Sequence, residues 1–354
     1  MNLIDLGWPA SPILAAAFAP FAAQGFAVGR IAVELRGSYR VLTETGDFDA
    51  QVTGQFRHQA VTAQDFPAVG DWVVLQLPQV DSSALIHHLL PRHSQFVRKA
   101  AGTKSEGQVV AANVNTLFLI MGLDDDFNPR RIERYLVMAW ESGANPVIVL
   151  SKADLCPDLT AACATIEAIA LGVPIHGISV ANGTGLDALE QYLSPGQTIA
   201  LVGSSGVGKS TLTNYLIGAE AQATQTVRLD DSKGRHTTTQ RHLFSLPSGA
   251  LLIDTPGMRE LQLWSVTEGV TETFSDIEAL AEQCKFRDCQ HRQEPGCAVQ
   301  GAIAQGELDP ARFQSYQKLQ REQRRIAQRQ DRQAQANSKR RWKAITKIQR
   351  SRHR

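Results

Sequence analysis

The chain has 354 residues, 43% of them hydrophobic, with a formal net charge of +1 and five cysteines. That length suits roughly two or three domains with ordinary apolar cores. Five cysteines in so long a chain do not make a secreted disulfide framework, and no run of about 20 apolar residues exists to span a membrane.

In chain order, residues 1–25 are Ala-rich and predicted helical, with no assignable role. The apolar run Ile13–Ala19 is short and has no basic stretch before it, so it reads as a helix and not a signal peptide. A cytoplasmic protein without membrane attachment is expected. From about Gly25 to His88 the pattern changes to short alternating runs. Val28–Leu35, Tyr39–Glu44, Asp49–Gly54, Trp72–Leu77 and Leu85–Leu90 are predicted strands separated by Gly, Asp and Pro. Five short strands in so few residues suit a small barrel of the OB type, serving either nucleic-acid binding or a structural purpose. Residues 91–107 read as a basic loop or linker.

Beyond it, apolar runs at Thr116–Gly122, Pro146–Leu150, Pro174–Ser179, Thr198–Gly203 and Leu251–Asp254 alternate with helical stretches near 130–142, 160–171, 185–193 and 209–217. That alternation predicts an α/β layer with a parallel sheet. After about Val270 it gives way to a Cys/His-rich segment and then a polar, basic helix. Residues 312–354 hold 15 Lys/Arg against Glu322 and Asp331, a local net of +13 that leaves −12 on the rest. Such a tail fits a polyanionic partner or a solvated, partly disordered extension.

The motif Gly203-Ser204-Ser205-Gly206-Val207-Gly208-Lys209-Ser210 matches G-x-x-x-x-G-K-[ST], between an apolar strand and a helix that opens at Thr211. Its backbone N–H groups and the helix N-terminus suit phosphate oxygens. Lys209 is expected at the β- and γ-phosphates and Ser210 on Mg²⁺. Asp254-Thr255-Pro256-Gly257 closes a second apolar strand 44 residues beyond Ser210. Asp254 is expected to hold Mg²⁺, usually through water, and the Gly257 N–H to approach the γ-phosphate. Between the two lies Gly234-Arg235-His236-Thr237-Thr238-Thr239, where a Thr, assigned as Thr238, can bind Mg²⁺ as a switch residue.

Ser151-Lys152-Ala153-Asp154 follows a buried strand and matches the guanine-reading pattern [NT]-K-x-D except at its first position. Asp154 could accept from guanine N1–H and N2–H₂, the Lys152 stem could cover the ring, and Ser179-Val180-Ala181 could offer a backbone N–H to the guanine carbonyl. Both elements precede the phosphate loop, whereas in common GTPases they follow it. The order is that of a circular permutation, which a parallel sheet tolerates because its strands assemble by lateral pairing.

Cys284, Cys289, His291 and Cys297 have the spacing C-x4-C-x-H-x5-C. Three thiolates and one imidazole make a closed tetrahedral set for one structural Zn²⁺; unrelated neighbouring thiols are the alternative. Cys156 and Cys163 are isolated.

With these motifs in hand, the chain resembles the ribosome small-subunit-dependent GTPase A family, a bacterial group of circularly permuted GTPases. The matches are Gly70-Asp71-Trp72-Val73, Ala112-Asn113-Val114, Phe127-Asn128 through Arg134-Tyr135-Leu136, the Gly234–Thr239 run, and Cys289-Gln290-His291 followed by Glu294-Pro295-Gly296-Cys297. The resemblance implies a multi-domain α/β protein with an N-terminal helical extension (1–25), an OB-fold (26–100), a circularly permuted GTPase domain (101–270), a zinc-binding domain (271–330) and a basic C-terminal tail (331–354). It further implies GTP hydrolysis to GDP stimulated by the small ribosomal subunit, late maturation of that subunit, contact with its 16S rRNA, and zinc on the Cys/His set. A monomer is expected when free.

Two departures stand out. Ser151 replaces the usual Asn or Thr, which is expected to weaken base affinity, and Asn115 stands where Asp is common. Met258 occupies the position where many GTPases carry a water-positioning Gln. His236 is the nearest substitute, as a water-orienting group or as an exposed loop histidine. An RNA-binding assembly scaffold with structural nucleotide is the competing reading. An ATP-using protein is disfavoured because the Asp154 carboxylate would repel the acceptor N1 of adenine.

Overall fold

The computed structural model describes residues 2–8, 11–78, 83–99, 107–218, 241–254 and 269–328. The chain divides into two compact units, Met1–Gln262 and Leu263–Arg354. The expected basic tail, 331–354, lies outside the described residues.

The first unit opens with helix α1 (Pro12–Ala22), with Pro12 at the position where a missing N–H costs nothing. Five strands follow: β1 (Ala27–Glu34), β2 (Tyr39–Thr43), β3 (Gly46–Val52), β4 (Trp72–Gln76) and β5 (Ala84–Leu89). They close in the order β1-β2-β3-β5-β4-β1, antiparallel except for the β3–β5 pair. Helix α2 (Gly54–Gln59) sits between β3 and β4, capped by the Thr53 hydroxyl accepting from Phe56 N–H. This is a five-stranded barrel of OB type, filled by Ile31, Val41, Ala50, Val52, Val73, Leu75 and Ile86.

Strand β4 is buried over its first four residues and does not alternate. Val73 and Leu75 point into the barrel, while Trp72 and Val74 join Leu6, Leu14 and Leu90 in a second cluster outside it. Trp8 packs edge-on against Trp72 at 4.8 Å and against Phe18 at 6.2 Å. The N-terminal residues, without a role in the sequence reading, therefore cover the outer face of the barrel.

Residues 91–107 are not simply a linker. Strand β6 (Gln95–Lys99) pairs antiparallel with β7 (Gly107–Ala112), and this ribbon crosses the expected domain boundary at residue 100. Its apolar positions, Phe96 facing Ala111 and Val97 facing Val109, are diluted in sequence by basic neighbours.

The parallel sheet contains β8 (Thr116–Gly122), β9 (Asn145–Ser151), β10 (Ile175–Gly177), β11 (Thr198–Gly203) and β13 (Leu251–Asp254), ordered β10-β9-β8-β11-β13. Helices α3 (Pro129–Ser142), α4 (Leu159–Glu167) and α5 (Lys209–Ile217) connect them. The stretch expected as a helix near 185–193 is a 3-10 helix over Asp187–Tyr192. Strand β12 (His242–Ser245) has no counterpart among the predicted strands, because only Leu243 and Phe244 of its four residues are apolar. It runs antiparallel to β13 and bridges to β1 at Val33↔His242, so barrel and parallel sheet form one sheet of 11 strands.

One buried device fixes the barrel against this sheet, and a second ties the barrel's own loops together. Arg30 of β1, 1% exposed, donates to the carbonyls of Gly70 (3.2 Å), Leu6 (2.5 Å) and Asn113 (3.1 Å) and to the Thr198 hydroxyl (2.8 Å). Burial lowers its pKa to about 9, with Asp71 pulling it back up. Asp71, also fully buried, is held in a two-pronged pair by Arg92 at 2.7 and 2.6 Å. Gly70, at φ +91°, cannot be replaced: a Cβ there would lie on the carbonyl oxygen of Ala112.

The second unit contains α6 (Gly269–Thr273), α7 (Ser275–Glu282), α8 (Ala298–Gln305) and a helix over residues 310–328. Phe313, Tyr316 and Leu319 lie buried along one stripe of that last helix, while Ile326 of the same predicted stripe is half-buried. Arg312 grips Asp276 at 2.8 and 2.7 Å and lies 4.9 Å over the Phe274 ring. No helix of the described residues is long and apolar enough to cross a membrane.

Candidate nucleotide site and metal centre

The carboxyl ends of β8, β9, β11 and β13 form one edge of the sheet, and the chemistry-bearing motifs hang from it. In parallel α/β sheets this edge is where ligands bind. The phosphate loop leaves β11 at Gly203 and enters α5 at Lys209. Gly206 (φ +85°) and Gly208 (φ +93°) take the left-handed turns that wind the loop. Val207 between them is 1% exposed and joins the apolar core with Leu212 and Leu216, which pins the loop from below. Ser205, Gly206, Ser210 and Thr211 are exposed at its mouth. The Lys209 ammonium donates to the carbonyl of Gly203 at 2.8 Å and to that of Ser204.

The base-reading motif reaches this loop directly. The Ser151 hydroxyl, at the end of β9, donates to the Val207 carbonyl at 2.6 Å, with the Met121 carbonyl at 3.3 Å. Its single proton is therefore committed to the loop, and this residue, 6% exposed, is turned away from solvent. Lys152 follows in the left-handed region, φ 59°, and its ammonium pairs with Asp124 at 2.5 Å. Ala153 N–H donates to the Ile178 carbonyl at 3.0 Å, tying the motif to the chain leaving β10. Asp154 is exposed. Ser179 is 1% exposed, and among the described residues its hydroxyl has no hydrogen-bond partner. Val180 is half-buried and Ala181 exposed. Ser151, Lys152, Ala153, Ser179 and the phosphate loop thus meet at one sheet edge although Ser151 and Val207 are 56 residues apart.

Asp254 ends β13, exposed, one residue past Ile253, which is level with Ala200 of β11. Ser210 and Asp254 both open on the carboxyl edge of adjacent strands, a donor set of hydroxyl and carboxylate oxygens that fits Mg²⁺. His236, Thr238, Gly257 and Met258 lie outside the described residues. Asn115, the second departure, accepts from Thr198 N–H at 2.9 Å through its side-chain oxygen; an Asp would accept the same bond.

Three residues of the site were absent from the sequence reading. Asp124 holds Lys152, and Asp126 holds Arg131 at 2.5 Å, whose guanidinium also donates to the Ser204 hydroxyl at 2.5 Å. The available signal was the run Asp124-Asp125-Asp126 directly after a buried strand, followed by arginines in the first turn of a helix.

In the second unit, Cys284, Cys289, His291 and Cys297 bring one ligand atom each to within 4.8 Å of one another. Cys284 Sγ and Cys297 Sγ are 3.9 Å apart, and each is 3.5 Å from His291 Nδ1. A tetrahedral Zn²⁺ with Zn–S near 2.3 Å requires S···S near 3.8 Å and S···N near 3.5 Å. Local geometry builds this cage. Cys297 caps α8 with its sulfur accepting from Gln300 N–H at 3.4 Å, and Gln300 Nε2 donates to the His291 carbonyl at 2.8 Å. The Glu294 carboxylate accepts from the N–H groups of Gln290, Arg292 and Gln293, which hold its pKa down to about 2.

The RsgA GTPase family model matches residues 89–264. A small ribosomal subunit biogenesis GTPase RsgA of Opitutus terrae is 48% identical over 363 residues, spanning 100% of this chain and 98% of the relative. A second RsgA, from Lactiplantibacillus plantarum, is 52% identical over 298 residues, 84% of each chain. Among solved structures, YjeQ from Thermotoga maritima superposes with a TM-score of 0.64 at 28% identity, covering 84% of this chain and 98% of that one. YloQ, described as a circularly permuted GTPase, superposes with a TM-score of 0.59 at 28% identity, covering 84% and 95%.

Proposed function

The chain belongs to the RsgA GTPase family, and from that premise we propose that it hydrolyses GTP to GDP and phosphate in small-ribosomal-subunit biogenesis, stimulated by the small subunit and bound to its 16S rRNA. The observation that carries the nucleotide part is the Ser151–Val207 hydrogen bond, which joins the base-reading motif to the phosphate loop. The barrel and the basic tail support the RNA part.

Each residue then has a task. Asp154 accepts from the Watson–Crick edge of guanine. The Ser179-Val180-Ala181 segment supplies a backbone N–H to the guanine carbonyl. The loop from Gly203 to Gly208 turns its N–H groups to the phosphates. Lys209 leaves the carbonyls of Gly203 and Ser204 and neutralises charge on the β- and γ-phosphates. Ser210, Thr238 and Asp254 hold Mg²⁺, and Gly257 N–H approaches the γ-phosphate. Held there, Mg²⁺ would supply positive charge against the negative charge developing between the β- and γ-phosphates. His236 orients the attacking water: its oxygen bonds to the γ-phosphorus, the bond to the β–γ bridging oxygen breaks, GDP leaves with that electron pair, and the water's proton passes to an oxygen of the released phosphate. Cys284, Cys289, His291 and Cys297 hold one structural Zn²⁺, whose four protein ligands leave no position for a substrate.

The deciding experiment is phosphate release from GTP with and without purified small ribosomal subunits, with ATP as control. Stimulation confined to GTP is expected. Tight GTP binding without stimulated turnover would instead favour an assembly scaffold. His236→Ala should abolish the stimulation and spare GTP binding, and intact stimulated turnover in that variant would remove His236 from the mechanism.

A further inference from the structure

A residue that no motif names sits against the phosphate loop. We propose that Arg131 is a positioning residue for that loop, held by Asp126 and acting through the hydroxyl of Ser204; the proposal rests on the guanine-nucleotide reading above.

Arg131 lies in the first turn of α3, two residues after Pro129. A cation there opposes the helix dipole, so helix stability does not account for it. Its Nη1 carries two hydrogens and has two acceptors, Asp126 Oδ2 at 2.5 Å and Ser204 Oγ at 2.5 Å. The Asp126 hydrogen bond and charge also raise the Arg131 pKa, which keeps the guanidinium charged. Asp126 and Arg131 side chains are 34% and 29% exposed. A pair so wet contributes little to folding by itself, which leaves its effect on the loop.

Ser204 is thereby held at both ends: its side chain by the Arg131–Asp126 pair, both of whose members hydrogen-bond it, and its carbonyl by Lys209. When Lys209 turns to the phosphates, the second hold is lost. Arg131 then keeps the first turn of the loop in place, so the N–H groups meet phosphate without having to be ordered at that moment.

The test compares the full chain with Arg131→Ala, Arg131→Lys, Ser204→Ala and the double variant Arg131→Ala/Ser204→Ala. It reads the dissociation constants of fluorescent GDP and of a non-hydrolysable GTP analogue, with the melting temperature of the nucleotide-free protein alongside. Loss of one charge-assisted hydrogen bond predicts about tenfold weaker binding of both nucleotides in Arg131→Ala. Ser204→Ala should match it, the double variant should be no worse than either, and Arg131→Lys should recover part of the loss. The melting temperature should stay within a few degrees, as for a surface ion pair. Binding within twofold of the parent in Arg131→Ala, or losses that multiply in the double variant, would overturn the proposal. A parent that prefers ATP to GTP would overturn the reading beneath it, a result separate from either.

Discussion

In Met1–Gln262 the chemistry-bearing groups sit at the ends of strands whose interiors are fully buried, Thr116–Gly122 throughout. In Leu263–Arg354 three cysteines and a histidine sit among helices of five to eight residues, beside the aromatic stripe of Phe313 and Tyr316. The first unit can bury enough apolar surface to present a site without help. The second has a smaller apolar core, built around Phe274, Ile277, Val299, Phe313 and Tyr316, and so has less burial to set against its chain entropy. A closed metal cage is one standard remedy. Similar motif density thus has different settings: at the sheet edge the polar groups Ser205, Ser210 and Asp254 are exposed at strand ends, whereas in the small unit Cys284, Cys289, His291 and Cys297 face one another.

The largest effect that would break this contrast comes from the cage. Structural zinc in small modules supplies about 10 kcal/mol or more of apparent folding free energy. Cys297→Ser, or a strong chelator, should therefore unprotect the amides of residues 269–328 in hydrogen exchange while β8 and β11 remain protected. Unchanged protection of 269–328 would mean that Phe313, Tyr316 and the Arg312–Asp276 pair suffice alone.

A smaller effect sharpens the other side. Arg30→Met removes the guanidinium that bonds the carbonyls of Leu6 and Asn113, while that of Gly70 keeps the Asn113 side-chain amide at 3.1 Å. A loss of about 3 kcal/mol is expected in urea unfolding. A change below about 1 kcal/mol would show that barrel and sheet are joined chiefly through β1 and β12.

The smallest concerns a single bond. Ser151→Ala removes the proton donated to Val207 and should cost about 1 kcal/mol, equal to about fivefold weaker GDP binding. No change would place the coupling of base motif and phosphate loop elsewhere.

Much of this arrangement was legible in sequence. Thr116–Gly122, Thr198–Gly203 and Leu251–Asp254 were read with their observed ends, because strands buried on both faces appear as unbroken apolar runs. The five barrel strands were found within a few residues of their ends, since alternation survives wherever one face is wet. Where a second layer covered that face, as α1 covers β4, the reason lay in Trp8 and Trp72, more than 60 residues apart. The ribbon β6–β7 was hidden because its basic residues look like a linker until Phe96 is set against Ala111 and Val97 against Val109.

By itself the sequence determined most of the elements, the permuted order of the motifs and which three cysteines and one histidine would cluster. Each is a local property: a period, a spacing, a donor type. Only the tertiary structure decided that the Ser151 hydroxyl serves Val207, that Arg30 is a keystone between barrel and sheet, and that Arg131 reaches Ser204. Those contacts join residues 56 to 168 positions apart. A directional hydrogen bond over such separations depends on where the sheet places its strand ends, which no local pattern encodes.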